Sequence, residues 1–314
     1  MEKILPFLKS KWWLLLILFS IVGPLALGTF WVHVATEVLI MALFAMSFNI
    51  LYGHMGQLSF GQAAFFGTGA YGAAMMMTKT GAPFLVCLLA GTLVGGLWAL
   101  ITGYLCIRLA GIYFAIMTVV VSQSTFYIIF NWYSFTGGDN GIQGLLPPPV
   151  LQGPFAYYYF SLAIVITAII IYRVILNSPF GLSLYCIRDN IDRSIFVGIK
   201  VRRHMHIAFV IAGIYAATAG VLFAPFKRSV VPHMCDWTTS GNAVFMGVLG
   251  GVYHLGGPIL GAVVWTFLDA FVTGFTEYWP IIVGFILLLV ILYMPGGILG
   301  LLYQKFKGLR HPAK

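Results

Sequence analysis

The sequence predicts an all-α membrane protein, a polytopic transmembrane helical bundle of about eight to ten spans. Three observations predict it. Of 314 residues, 61% are apolar and only 8% charged, against about 45–50% and about 25% in soluble domains. Apolar stretches of membrane-crossing length recur along nearly the whole chain. The basic residues gather in the short segments between those stretches, as membrane orientation requires. A soluble enzyme is excluded, because such a chain would have to cover itself with polar surface it does not possess. Disorder is excluded by 26 Phe and 16 Tyr, and the net charge of +9 is read as orientation signal rather than a nucleic-acid surface.

The elements follow in order. Lys3, Lys9 and Lys11 precede an apolar run over 12–30. That run is longer than a signal-peptide core and has no A-x-A site, so it reads as a retained first span. Further apolar stretches lie near 33–51, 57–78, 82–105, 111–131, 155–177, 207–225, 241–255, 257–275 and 279–300. Segment 178–206 carries Arg188, Arg193, Lys200, Arg202 and Arg203, and the tail carries Lys305, Lys307, Arg310 and Lys314. Segment 132–154 has no Lys or Arg. The positive-inside rule therefore places both termini and 178–206 in the cytoplasm and 132–154 outside. Parity then requires 241–275 to be two membrane spans, divided at Gly256-Gly257-Pro258. Lys79, Lys227 and Arg228 fall outside, against the rule.

Two segments are apolar enough for the membrane yet too rich in glycine for plain helix: Gly53-His54-Met55-Gly56-Gln57-Leu58-Ser59-Phe60-Gly61 and His254-Leu255-Gly256-Gly257-Pro258-Ile259-Leu260-Gly261. At an offset of 200 residues they share His and two Gly, a weak sign of duplication. Broken backbone at membrane depth is tolerated only where protein buries it or a wet cavity borders it, and transporters place paired breaks beside their pathways. Gly56, Gln57, Ser59, Gln62, Gly256 and Gly257 are accordingly the candidate pathway residues. The competing reading is close helix packing through small residues, as in Gly91-x-x-x-Gly95 and Gly247-x-x-x-Gly251. Gly67-Thr68-Gly69-Ala70-Tyr71-Gly72 spells a dinucleotide fingerprint, but it lacks the preceding strand and the acidic residue about 20 positions on. No GxxxxGK[ST] occurs, so ATP-driven work needs a separate ATPase. The cysteines Cys87, Cys106, Cys186 and Cys235 are too scattered for a metal site or a disulfide framework, and no cofactor is expected in this chain.

Segment 178–206 is the most informative. Ser178-Pro179 offers an N-cap and a proline at the first helical position. Leu184, Ile187, Ile191 and Ile195 form an apolar stripe, Arg188/Asp192 and Asp189/Arg193 are spaced as i,i+4 pairs, and Gly198 stands at the C-terminal stop. One short amphipathic helix between Ser178 and Gly198 is expected. Its mixed polar face, with Asn190 among the charges, favours docking on protein over lying on lipid.

Ser178-Pro179-Phe180-Gly181, Ile187-Arg188-Asp189-Asn190 and Val197-Gly198-Ile199 resemble the permease subunits of branched-chain amino-acid ABC importers. Gly56-Gln57-Leu58-Ser59-Phe60-Gly61-Gln62-Ala63 with Gly69-Ala70-Tyr71, Thr136-Gly137-Gly138-x-x-Gly141, and Gly250-Gly251 with Gly256-x-Pro258-x-x-Gly261 match further signatures of the family in the same order. The resemblance implies one permease domain over 1–314, with coupling loop 178–206 and cytoplasmic tail 304–314, in a bacterial or archaeal cytoplasmic membrane. It implies partners: a paralogous permease, two cytoplasmic ATPase subunits that hold the ATP, and an extracytoplasmic binding protein. It implies that 182–198 is a coupling helix seated on the ATPase through Arg188, Asp189, Asn190, Asp192, Arg193 and Gly198, and that Gly137, Gly138, Asp139 and Gly141 face the binding protein. Sister permeases that move urea and other amides carry similar motifs, which leaves that substrate class as an alternative. An ion-coupled secondary transporter is the other, disfavoured because Glu37, Asp269 and Glu277 all map near span ends.

Overall fold

The computed structural model describes residues 28–272, 279–294 and 296–300. Nearly all of the predicted first span, its three lysines and the basic tail lie outside the described residues. The fold is a helical bundle. Helix α1 (Thr29–Asn49) runs on into a π-helical turn, Ile50–His54. It is followed by α2 (Gln62–Thr80), α3 (Phe84–Cys106), α4 (Ile112–Asn131), α5 (Pro154–Asn177), α6 (Pro179–Asp189), α7 (Ile191–Phe196), α8 (Val201–Lys227), α9 (Trp237–Gly250), α10 (Gly257–Val272) and α11 (Trp279–Tyr293). Five of these segments are long and apolar enough to cross a membrane: Thr29–His54, Phe84–Cys106, Ile112–Asn131, Pro154–Asn177 and Val201–Lys227.

The predicted stretches become helices in the predicted order, with two shifts. The stretch begun at 57 becomes helical only at Gln62, because Gly56 takes φ +76°, a backbone conformation open to glycine, and the chain runs non-helically to Gly61. The division of 241–275 is present, but as helices of 14 and 16 residues. At 1.5 Å per residue these are about 21 and 24 Å long, short of the roughly 30 Å hydrocarbon core. The chain before α9 makes up part of the depth: the Cys235 carbonyl accepts a hydrogen bond from Ser122 Oγ at 2.8 Å, halfway along α4.

The core joins α1, α2, α3 and α8 around Phe44, Phe65, Phe66 and Phe209, with Phe44 and Phe66 ring centroids 4.7 Å apart. The fingerprint-like glycines lie inside α2 and serve packing. A Cβ on Gly69 would stand 2.6 Å from the Ala217 carbonyl of α8, and one on Gly91 of α3 would stand 2.6 Å from the Gly69 carbonyl. The dinucleotide reading is thereby set aside on structural grounds. A two-stranded ladder, Ile142–Gln143 with Ser229–Val230, ties the 132–154 segment to the end of α8. Segments 132–154 and 178–200 thus lie at opposite ends of the 24-residue α5.

Candidate coupling and translocation site

The predicted single helix over 182–198 is two helices. Ser178 caps the first as expected, its Oγ accepting from Gly181 N at 3.4 Å with Pro179 at the first position. At Asn190 the backbone turns extended (φ −164°, ψ 115°), and the Asn190 side chain accepts from Arg193 N at 2.9 Å to cap the second. An asparagine that caps from its own side chain competes with helix continuation, and here it wins. The kink removes the i,i+4 register, so neither Arg188/Asp192 nor Asp189/Arg193 is an ion pair. Arg188 instead lies 3.8 Å from Asp189 across exposed surface, a contact of little energetic weight.

The two arms present different chemistry. At the tip, Asp189, Asn190, Asp192, Arg193 and Gly198 are exposed, and among them stand Ile195, Phe196 and Val197, with Phe196 90% and Val197 81% exposed. Gly198 has φ +89°, as a C-terminal stop requires. Arg188 turns the other way. Its Nη1 donates to the Gly53 carbonyl at 2.6 Å, and its guanidinium lies over the rings of Tyr185 and Tyr253, 5.6 and 5.2 Å from their centroids. Burial pushes the Tyr185 phenol up from its ordinary range, and the Arg188 cation opposes that shift.

The candidate pathway residues divide. Gln57 Oε1 accepts from Gly111 N at 3.1 Å, capping the entrance to α4. Ser59 Oγ accepts from Gly61 N at 3.3 Å, and the Phe60 N–H donates to Thr118 Oγ1 at 3.0 Å. The N–H groups of Gly56, Gln57, Phe60 and Gly61 thus find partners within this chain. Gln62, fully buried at the start of α2, has no partner for either amide atom among the described residues, and neither do Asn49 and His54. Gly56 is exposed, with Arg188 Cγ where its side chain would begin. The two breaks meet, since a Cβ on Gly53 would run into the Val252 carbonyl. A Cβ on Gly257 would run into the Gly251 carbonyl, whereas one on Gly256 would meet, among the described residues, Leu299 Cδ1 at 3.4 Å.

At the opposite end Gly137, Gly138 and Gly141 have φ +82°, +58° and +61°, so the turn needs them as glycines. Thr136 Oγ1 donates to the carbonyls of Ile129 and Trp132 and fastens the turn to α4. Asp139 is the exposed charge of this turn. No group of three or more His, Cys, Asp or Glu that could hold a metal ion occurs among the described residues.

Sequence reasoning missed Tyr253 and the apolar tip at Phe196. Tyr253 belongs to the apolar stretch 241–255, just ahead of the predicted second break, and Ile195 to an apolar stripe that the kink at Asn190 interrupts.

Comparison with known proteins decides the family. A family model described as the permease component of the branched-chain amino acid transport system matches residues 30–292. The chain belongs to this family. It is similar to the high-affinity branched-chain amino acid transport system permease protein LivM of Escherichia coli K12, at 24% identity over 95% of this chain and 77% of the relative. It is also similar to LivH of the same organism, at 25% identity over 82% of this chain and 91% of that one. A probable LivH of Methanocaldococcus jannaschii is 25% identical over 48% of this chain and 50% of its own length. No solved structure matches. The match spans both breaks, segment 178–206 and the glycine turn at 136–141.

Proposed function

We propose that this permease is the membrane-spanning subunit of an ATP-driven importer for branched-chain or related small amino acids. It works with a paralogous permease, two cytoplasmic ATPase subunits and an extracytoplasmic binding protein, both of its termini lying in the cytoplasm. The family match over 30–292 carries this reading, and the geometry supports it. The kinked α6–α7 pair offers an apolar centre, Ile195-Phe196-Val197, rimmed by Asp189, Asn190, Asp192 and Arg193. An apolar centre within a polar rim is the anatomy of a protein interface, and this is the surface we assign to the ATPase.

The opposite end, with Asp139 on its glycine turn, is assigned to the binding protein. Between them the pathway runs past the junction of the two breaks, bordered by Gly56, Gly256 and the uncommitted amide of Gln62. Gln57 and Ser59 shape that border from within, by holding α4 and α2 against the first break. No cofactor is assigned to this chain; ATP is assigned to the partner ATPases.

The test is co-expression with the partner subunits and reconstitution in proteoliposomes. ATP-dependent uptake of labelled leucine, competed by isoleucine and valine but not by urea, is expected. Phe196→Asp is expected to abolish co-purification of the ATPases, because it places a charge at the centre of an apolar contact. Uptake of urea instead, or uptake driven by an ion gradient without ATP, would overturn the reading.

A further inference from the structure

The cytoplasmic helix pair and the two breaks meet at one side chain. Arg188 reaches from α6 to the Gly53 carbonyl at 2.6 Å, at the C-terminal end of α1 where the helix dipole is negative and a cation is favoured. Its guanidinium lies 5.2 Å from the centroid of Tyr253, within cation–π range, and Tyr253 belongs to the non-helical chain 251–256 between α9 and α10, where the second break falls. Its Cγ lies where a Cβ on Gly56 would stand, 2.7 Å away. The side chain is only 28% exposed. From that point glycine contacts carry on without slack: Gly53 abuts the Val252 carbonyl, and Gly251, with φ +105°, abuts Gly296.

We propose that Arg188 is a positioning residue that latches the ATPase-facing helix pair to both membrane breaks, so that movement of α6–α7 shifts the two breaks together. The proposal rests on the function given above and adds to it the element that transmits the stroke. Arg188 acts inward, on this permease's own backbone, while Ile195, Phe196 and Val197 act outward. A planar cation that hydrogen-bonds one break and stacks on the other joins them in a way a flexible ammonium cannot fully copy. A coupling network of this kind has physical content where packed groups leave no slack to absorb a displacement.

Two measurements test it. In the full chain, with the four native cysteines replaced, Leu255→Cys is labelled with a water-soluble maleimide. Arg188→Ala is expected to raise the labelling rate several-fold, Arg188→Lys to give an intermediate rate, and Tyr253→Phe to leave it low. In the reconstituted importer, amino acid moved per ATP hydrolysed is expected to fall about tenfold in Arg188→Ala, within the range of residues along a coupling network, and to recover in part in Arg188→Lys. Unchanged labelling, or an unchanged transport-to-hydrolysis ratio, in an Arg188→Ala protein present at wild-type membrane level overturns the latch. Faster labelling in the variant, with no uptake by the wild-type complex, leaves the latch standing and removes the proposed function instead.

Discussion

The most instructive single residue is Lys227, which ends α8 and which the topology expected from the charges puts outside, against the positive-inside rule. Its Nζ lies 2.7 Å from Glu37 Oε1, over the rings of Phe223 and Phe226. The aliphatic stem of such a lysine is suited to a helix end. Lys79, a further exception at the end of α2, lies 4.2 Å above the Phe135 ring. Glu37→Gln is expected to lower stability by about 1 kcal/mol, the upper end for a partly exposed pair, because the lysine would keep its charge beside apolar rings. Adding Lys227→Met should recover most of that loss. Thermal denaturation of the detergent-solubilised single and double variants checks it, and a purely additive double variant would show that the pair is not coupled. The pairing itself was not legible in the sequence: Glu37 and Lys227 are far apart in the chain, and only the docking of α8 on α1 brings them together.

Among the elements, the kinked pair α6–α7 shows what local chemistry can and cannot announce. Ser178-Pro179 declared the start of α6 correctly, because cap and proline act within one turn. Gly198 declared the stop. The break between them was also written locally, at Asn190, but the apolar stripe through Leu184, Ile187, Ile191 and Ile195 concealed it, since a stripe records spacing and not continuity. The inward turn of Arg188 was beyond local reading, because its partners Gly53 and Tyr253 belong to other elements. Asn190→Ala is expected to cost about 1 kcal/mol through loss of the cap on α7, and Asn190→Asp to cost little. Amide hydrogen exchange over 191–197 in the purified permease should quicken in the alanine variant only. Equal exchange in both would mean that packing, not the cap, holds α7. At the breaks, the glycines announced the interruption, while the use of Gln57 to cap α4 at Gly111 required the tertiary fold. Gly56→Val should reduce uptake more than Ser59→Ala, since it forces a β-branched residue to φ +76° and into Arg188, whereas Ser59 holds a single N–H. Uptake normalised to membrane level reads the difference, and equal transport by the two variants would deny the break its role.

At the scale of the whole molecule, the bundle was legible because composition, span length and the clustering of basic residues all follow from the bilayer as solvent. Its two ends are distinct in the structure: the ladder between Ile142–Gln143 and Ser229–Val230 closes one, and Arg188 against both breaks closes the other. Which end meets the cytoplasm is a matter of charge. Segment 178–206 holds five Lys and Arg, whereas 132–154 holds none, and the lysine and arginine bias of short loops sets orientation. A thiol introduced as Gln143→Cys, in a background without the four native cysteines, is therefore expected to react with an impermeant maleimide added to intact cells. Both positions are suited to the probe: Gln143 and Phe196 are exposed, so failure to react reports the membrane and not burial. In the permease expressed without the ATPase subunits assigned to this surface, Phe196→Cys is expected to react only after permeabilisation, at a rate then comparable to that of Gln143→Cys. The reverse pattern would turn the molecule over, place the apolar tip where no ATPase can reach it, and separate the latch at Arg188 from any cytoplasmic stroke.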